Sequence, residues 1–91
     1  MNIYFKDRYN RTILLSEERI KHIYQHQEMQ NKISLVEETI INPDLIEQDL
    51  YRREIIYYYK YLKEEKKHLM VVIRLTENQG EILTAYLIKK W

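Results

Sequence analysis

The sequence predicts an α+β fold, in which a short N-terminal hairpin and two helices pack on a mainly antiparallel sheet of about four strands. Helix-start signals occur in the first half of the chain, and strand-like runs fill the second half. With only 91 residues the chain has room for one core, so residues 1–91 are expected to form a single domain.

The first half begins with residues 3–5 and 11–15, which flank a polar turn and predict a hairpin. Ser16 is placed to cap a helix from residue 17 to about residue 29, with acidic side chains in its first turn. Residues 34–37 have capping-box spacing and predict a second helix, which Pro43 should end near residue 41.

The second half predicts three long strands. Residues 54–62 alternate, residues 69–75 are nearly all apolar, and residues 76–80 carry the only glycine and predict a hairpin. The apolar run is expected to be the central strand, paired on both sides. Period-2 alternation in the last strand places Ile82, Thr84, Tyr86 and Ile88 on one face.

Composition excludes several classes of function. The chain has no cysteine, which removes disulfides, thiolate nucleophiles and cysteine zinc sites. It has no long apolar run and no signal-like N-terminus, so a cytoplasmic protein that does not bind membranes is expected. A net charge of +1 gives little overall attraction for a polyanion, and a nucleic-acid partner would need a local patch of basic side chains.

Several segments together carry a family resemblance: the Asn10-Arg11 turn, L-S-E-E-R-I-K-H-I at 15–23, H-Q-E-M at 26–29, N-P-D at 42–44, Y-Y-Y-K at 57–60, L-M-V-V-I at 69–73, and residues 80–86. In this order they resemble the small phage-type and bacterial proteins of the barnase, EndoU, colicin and RelE-like (BECR-fold) nuclease superfamily, over nearly the whole chain. The resemblance implies helices followed by a four-stranded antiparallel sheet, and a metal-independent endoribonuclease without a cofactor.

The resemblance also implies the site residues. The catalytic positions fall on His22, Lys60, Thr84 and Tyr86. The substrate-binding positions are Arg19, His26, Tyr58 and Arg74. The chain departs from the family pattern at Gln27, which replaces a proline and is expected to lengthen the first helix, and at Asn10, which replaces a turn glycine.

Metal-free cleavage of RNA requires a base for the 2′-hydroxyl proton, an acid for the leaving 5′-oxygen, and cations near the phosphate. His22 can transfer the protons, and Lys60, Arg74 or Arg19 can hold the phosphate. Thr84 and Tyr86 can donate hydrogen bonds, and we expect their side chains to lie on the same side of the sheet as Lys60. The product would carry a 2′,3′-cyclic phosphate.

Other readings of these residues remain open. His22 and His26 have the spacing of a zinc-binding pair, but Ile23 stands where a metalloprotease helix carries glutamate, and only Glu28 and His68 are conceivable third ligands. The tyrosines at 57–59 could stack on bases, yet tyrosine is also common in strands for structural reasons alone.

Two functions follow. The first is an endoribonuclease that acts on RNA in the cytoplasm, as a phage-borne effector or as a toxin with a cognate antitoxin or inhibitor protein. The alternative is a non-catalytic module that keeps the nuclease fold and binds protein or RNA.

Overall fold

The structure is a computed structural model that describes residues 1–89. Its elements, in chain order, are β1 (Ile3–Lys6), β2 (Thr12–Leu15), α1 (Glu17–Tyr24), a 3-10 turn (Gln27–Met29), α2 (Ile33–Ile41), β3 (Leu45–Gln48), β4 (Ile55–Leu62), β5 (Lys67–Leu75) and β6 (Gln79–Ile88). The strands form one six-stranded sheet in the order β1-β2-β6-β5-β4-β3. The predicted α+β class is confirmed.

The centre of the sheet is the predicted one. β5 pairs antiparallel with β4 on one side and with β6 on the other. Its run of apolar residues suits this position, because a strand paired on both sides and covered on one face offers little surface to water. The predicted N-terminal hairpin is also present as β1 and β2, and Asn10 in its turn has a φ of 64°, the left-handed conformation that asparagine tolerates.

The sheet has more strands than the four expected, and it is mixed. β2 pairs parallel with β6, through Thr12, Ile13 and Leu14. The sequence does not reveal this pairing because some 60 residues of helices and strands separate the two partners. β3 also went unpredicted, since this edge strand is only four residues long and largely exposed, with no run of apolar residues.

One face of the sheet carries the core. Side chains of β4, β5 and β6 pack there against Val36 and Ile40 of α2 and Ile23 of α1. We call this the helix face; its main sheet residues are Tyr58, Leu69, Val71, Ile73, Ile82 and Ala85. The opposite side is called the open face here, and it presents Tyr57, Tyr59, Met70, Val72, Thr84 and Tyr86.

A β-bulge in β6 sets which residues reach each face. Val72 pairs with Thr84 whereas the next residue of β5, Ile73, pairs with Ile82, so Leu83 is the extra residue. Ile82 is therefore buried on the helix face, while Thr84 and Tyr86 lie on the open face. The predicted common face for Ile82, Thr84 and Tyr86 is wrong because strict alternation takes no account of the inserted residue.

Gly80 has a packing role instead of the predicted role in a turn. It lies inside β6, and a Cβ atom there would come within 2.7 Å of Ile13 Cδ1 and 3.0 Å of Ile73 Cγ2. The absence of a side chain at Gly80 therefore leaves room for the buried side chains of Ile13 and Ile73, which a larger residue would displace.

A buried carboxylate ties the hairpin turn to the core. One oxygen of Asp7 accepts hydrogen bonds from the backbone N–H groups of Tyr9 and Arg11, at 2.9 and 2.8 Å. The other accepts from Arg11 Nε at 2.7 Å and from the Tyr58 hydroxyl at 2.8 Å. Burial alone would raise the pKa of Asp7, but these donors outweigh it and lower that pKa below its usual value.

Both helices differ from the predicted boundaries at one end. Ser16 caps α1 by accepting from the Arg19 N–H at 3.2 Å, as predicted, but α1 ends at Tyr24 and does not continue to residue 29. α2 ends at Ile41 as expected, yet it begins at Ile33 after Lys32, so Ser34 lies inside the helix and the predicted capping box is not formed.

The Asp7 interactions predict a specific dependence of stability on pH. Because the folded-state pKa of Asp7 is depressed, its contribution to stability is present above the unfolded pKa of about 3.9 and is lost as the pH falls further. Asp7→Asn should therefore destabilise the protein at pH 7 and show a smaller loss of stability between about pH 5 and pH 2. Urea unfolding at several pH values measures this, with the exposed Glu37→Gln as control. An unchanged pH dependence in Asp7→Asn would contradict the assignment.

The backbone conformation after α1 predicts that proline, the residue of the family pattern, can replace Gln27 without strain. Gln27 is the first residue of the 3-10 turn and follows His26, whose ψ of 108° is the extended conformation required before proline. Gln27→Pro should change the free energy of unfolding by less than about 1 kcal/mol. Gln25→Pro is the matched control, because the Gln25 N–H donates to His22 O at 3.2 Å, and it should be clearly destabilising. Equal losses in both variants would show that residue 27 needs its own N–H.

Candidate functional site

Two histidines and a tyrosine form a row of rings at one side of the open face. The His26 ring lies 5.8 Å from the Tyr86 ring and 6.3 Å from the His22 ring, between centroids. Both histidines are exposed. The structure therefore brings together three of the residues that the family resemblance indicated.

The position of α1 explains this grouping. β2 pairs only with residues 79–81 of β6, and α1 contacts β6 beyond that point. Arg19 Nη1 lies 3.5 Å from the carbonyl oxygen of Leu83. Arg19 and His22 are three residues apart and so project from the same side of α1, and His26 follows just after the helix ends.

Further aromatic rings continue across the open face from Tyr86. Tyr57 and Tyr59 of β4 have ring centroids 6.4 Å apart, and Tyr61 lies 5.1 Å from His68 of β5. These rings of the open face and its rim comprise all three histidines and the tyrosines at 57, 59, 61 and 86. Tyr59 is only 4% exposed, so the flat rings on which nucleic-acid bases can stack are the others, among them Tyr61 and Tyr86.

Asp49 orders the side of the face opposite His26. The Tyr57 hydroxyl donates to Asp49 Oδ1 at 2.5 Å, and this bond is the main reason that the pKa of Tyr57 is raised to about 12. The same bond, with the Tyr51 N–H, lowers the pKa of Asp49. Asp49 Oδ2 accepts from the N–H groups of Tyr51 and Arg52, both at 3.0 Å. Tyr57 therefore stays protonated and Asp49 ionised at neutral pH.

A groove of about 480 Å³ lies next to the Asp49 turn. Its lining joins Tyr51 and Arg52 of the turn to Val72 of β5 and Leu83 of β6. Arg19, which does not line the groove, reaches the backbone carbonyl of the lining residue Leu83. The full lining is Asp49, Tyr51, Arg52, Ile55, Tyr57, Val72 and Leu83.

Lys60 does not join the site, which corrects the expectation that it shares a side with Thr84 and Tyr86. It pairs with Leu69 and lies on the helix face, where its Nζ donates to the carbonyl oxygen of Asn42 at 2.9 Å. The reason is the register: Tyr59, not Lys60, is in line with Met70 and Tyr86.

Three other predicted residues are placed differently from expectation. Tyr58 is fully buried and its hydroxyl is bonded to Asp7, so it cannot bind substrate. Arg74 forms a 2.9 Å ion pair with Glu81, about 13 Å along the sheet from Tyr86. Thr84 is on the open face, but its Oγ1 is buried and has no hydrogen-bond partner in the described structure. In this conformation that hydroxyl cannot touch a phosphate.

Sequence reasoning missed Asp49, Tyr51 and Arg52. A signal for them was present, because an aspartate whose side chain accepts the N–H groups two and three residues later is a common turn pattern. What the sequence could not show is that this turn would lie beside Tyr57.

Within residues 1–89, no three histidine, aspartate or glutamate side chains are grouped so that they could hold a metal ion. In the same part of the chain, no helix has the length and apolar character needed to cross a membrane.

Comparison with known proteins identifies the family. No curated protein and no solved structure matches the chain. A family model does match, over residues 2–90, and it describes the phage-Barnase-EndoU-ColicinE5/D-RelE like nucleases, group 2. Since this match spans nearly the whole chain and agrees with the α+β architecture, the protein belongs to this family of BECR-type nucleases.

Proposed function

We propose that the protein is a metal-independent endoribonuclease, whose reaction takes place at the His22, His26 and Tyr86 end of the open face. The observation that carries the proposal is the row of these three rings, in which the His26 centroid lies 5.8 Å from Tyr86 and 6.3 Å from His22, with both histidines exposed. Family membership supports a nucleic acid as the substrate. The choice of RNA rests on the chemistry that these side chains offer.

The proposed reaction uses the substrate's own 2′-hydroxyl as nucleophile. Its oxygen attacks the adjacent phosphorus while one imidazole accepts the hydroxyl proton. The bond from phosphorus to the 5′-oxygen breaks, and the second imidazole, in its protonated form, gives a proton to that oxygen. The products are a 2′,3′-cyclic phosphate and a 5′-hydroxyl. DNA lacks the attacking hydroxyl, so this mechanism applies to RNA alone.

His22 and His26 suit the two proton transfers. Imidazole is the side-chain group that most readily both takes up and releases a proton near neutral pH. Their rings are close enough to serve one phosphodiester and exposed enough to receive it. His26 has the more central place in this proposal than it had in the sequence-based one, because it directly faces Tyr86.

Charge on the phosphate would be stabilised by Arg19 and Tyr86. Arg19 is held beside β6 by its contact with Leu83 O, and a guanidinium fits the oxygens of a phosphate well. The Tyr86 hydroxyl can donate a hydrogen bond to the same group. Neither role requires Lys60 or Tyr58, which the fold places elsewhere.

The proposal predicts a large loss of activity when either histidine is removed. His22→Ala and His26→Ala should each lower RNA cleavage by about a hundredfold or more, since a positioned acid or base typically contributes that much. Lys60→Ala is the matched control, because it removes a cation from the helix face and should leave the rate nearly unchanged. Cleavage of labelled RNA in EDTA, with analysis of the fragment ends, measures all three.

Cyclic-phosphate ends from wild type, lost in the histidine variants, would support the mechanism. A rate abolished by EDTA would contradict it. If wild type binds RNA without cleaving it, the alternative of a non-catalytic RNA-binding module becomes the better account. The burial of Thr84 Oγ1, one of the groups expected to be catalytic, is consistent with that alternative.

The proposal extends to a role as a toxin or phage-borne effector that acts in the cytoplasm, restrained by a cognate antitoxin. Expression in bacteria tests this part: the wild-type protein should arrest growth, whereas His22→Ala should not. Growth unaffected by an active enzyme would remove the toxin role while leaving the nuclease assignment intact.

A further inference from the structure

The loop between β3 and β4 exposes two large side chains that the proposed reaction does not use. Leu50 and Tyr51 are 90% and 92% exposed, more than the other large apolar or aromatic side chains of the sheet. Tyr51 and its neighbour Arg52 lie beside the open face and line the groove that contains Val72 and Leu83. A protein gains no stability from holding a tyrosine in this way.

The loop is nevertheless held firmly by hydrogen bonds. Asp49 Oδ2 binds the N–H groups of Tyr51 and Arg52, and Gln48 Nε2 donates to the carbonyl oxygen of Arg53 at 2.9 Å. At its two ends, the Asp49 N–H donates to Ile55 O at 2.9 Å and the Ile55 N–H donates to Arg52 O at 3.1 Å. The exposure of Tyr51 is thus built into a fixed turn.

Asp49 also connects this turn to the aromatic rings of the open face, through Tyr57. Its second oxygen accepts from the Tyr57 hydroxyl, so one carboxylate fixes both the Tyr57 ring and the backbone under Tyr51. β4 and β6 are two strand spacings apart, about 10 Å, which places Tyr57 between the turn and Tyr86. A ligand that spans the face from His26 would therefore reach Tyr57 and then the turn.

We propose that Tyr51 and Arg52 form a second nucleotide subsite, which binds single-stranded RNA on the far side of Tyr57 from His26. The inference rests on the proposed function and specifies that the RNA is bound in single-stranded form. In this subsite Tyr51 stacks on a base and Arg52 binds the neighbouring phosphate, while Asp49 acts as a positioning residue that keeps both in place. Single-stranded RNA is indicated because bases in a duplex are not free to stack on a side chain.

Charge and shape both favour RNA as the occupant. Arg52 lines the groove, and Arg19 contacts the carbonyl oxygen of Leu83, which is another lining residue, so guanidinium groups are present at two points for a phosphate backbone that leaves the groove past Leu83. The rings of Tyr57 and Tyr86 can receive bases without reading their identity. This matches an extended strand of several nucleotides.

The test is binding of an RNA oligonucleotide that cannot be cleaved, because 2′-O-methyl groups block its attacking hydroxyls. Fluorescence anisotropy of the labelled oligonucleotide gives Kd for the wild type and for Tyr51→Ala and Arg52→Ala. Each variant should bind about tenfold more weakly, the usual size of one lost stacking or phosphate contact. Arg53→Ala is the matched control, since it removes the same charge one residue later, outside the groove lining, and should change Kd little.

Three further measurements test the subsite itself. Lys60→Ala should bind the blocked RNA as well as wild type does, because Lys60 lies on the helix face and outside the groove lining. The losses in Tyr51→Ala and Arg52→Ala should disappear for a dinucleotide, which is too short to reach the turn, and a pre-formed duplex should compete poorly.

Equal weakening by Arg52→Ala and Arg53→Ala would overturn the subsite in favour of diffuse charge attraction, and so would normal binding by Tyr51→Ala. Failure of the protein to bind any RNA would also overturn it. If the subsite variants weaken binding but unblocked RNA is never cleaved, the subsite stands and the nuclease proposal falls.

Discussion

The register shift at Leu83 divides the side chains of β6 between the two faces of the sheet, and both the core and the candidate site depend on it. Ile82, Ala85 and Leu87 fill the helix face, whereas Thr84 and Tyr86 point to the open face. If all residues of β6 alternated strictly, with no bulge at Leu83, Tyr86 would share a side with Ile82 and lie in the core. A bulge of this kind re-aims side chains at the cost of one unpaired residue, which is why bulges are frequent beside functional sites.

The short pairing of β2 has an equally large effect. It covers only the start of β6, and α1, which follows β2 almost directly, also contacts β6. Arg19 is thereby brought to Leu83 and His26 to Tyr86, although about 60 residues of chain separate these partners. Gly80 pairs with Ile13 in this region, and a Cβ there would clash with the buried side chains of Ile13 and Ile73. The site and the mixed sheet are therefore consequences of the same packing.

The sequence carries enough information for the elements and too little for their arrangement. The central position of β5 and the Ser16 cap were predictable because they rest on local patterns of burial and hydrogen bonding. The parallel pairing and the bulge depend on contacts between distant segments. The prediction that Lys60 lies on the same side of the sheet as Thr84 and Tyr86 was therefore wrong, and the grouping of His22, His26 and Tyr86 was indicated only by the family resemblance. Tyr58 shows the difficulty most clearly: its neighbours at 57 and 59 lie on the open face, whereas its own ring is buried on the helix face and bonded to an aspartate that lies 51 residues earlier.

Tyrosine side chains help to cover the open face of the sheet. A sheet face without a covering helix must hide its backbone and its apolar strand residues by other means. Tyr59 and Met70 lie on this face and are 4% and 8% exposed, so neighbouring side chains already cover much of it. Tyrosine can do this because its ring is apolar and its hydroxyl remains hydrated or bonded, as Tyr57 is to Asp49. The same rings that protect the sheet are the ones on which bases could stack. In such a surface stability and binding are coupled, and a substitution that keeps the ring, such as tyrosine to phenylalanine, separates the two better than one to alanine.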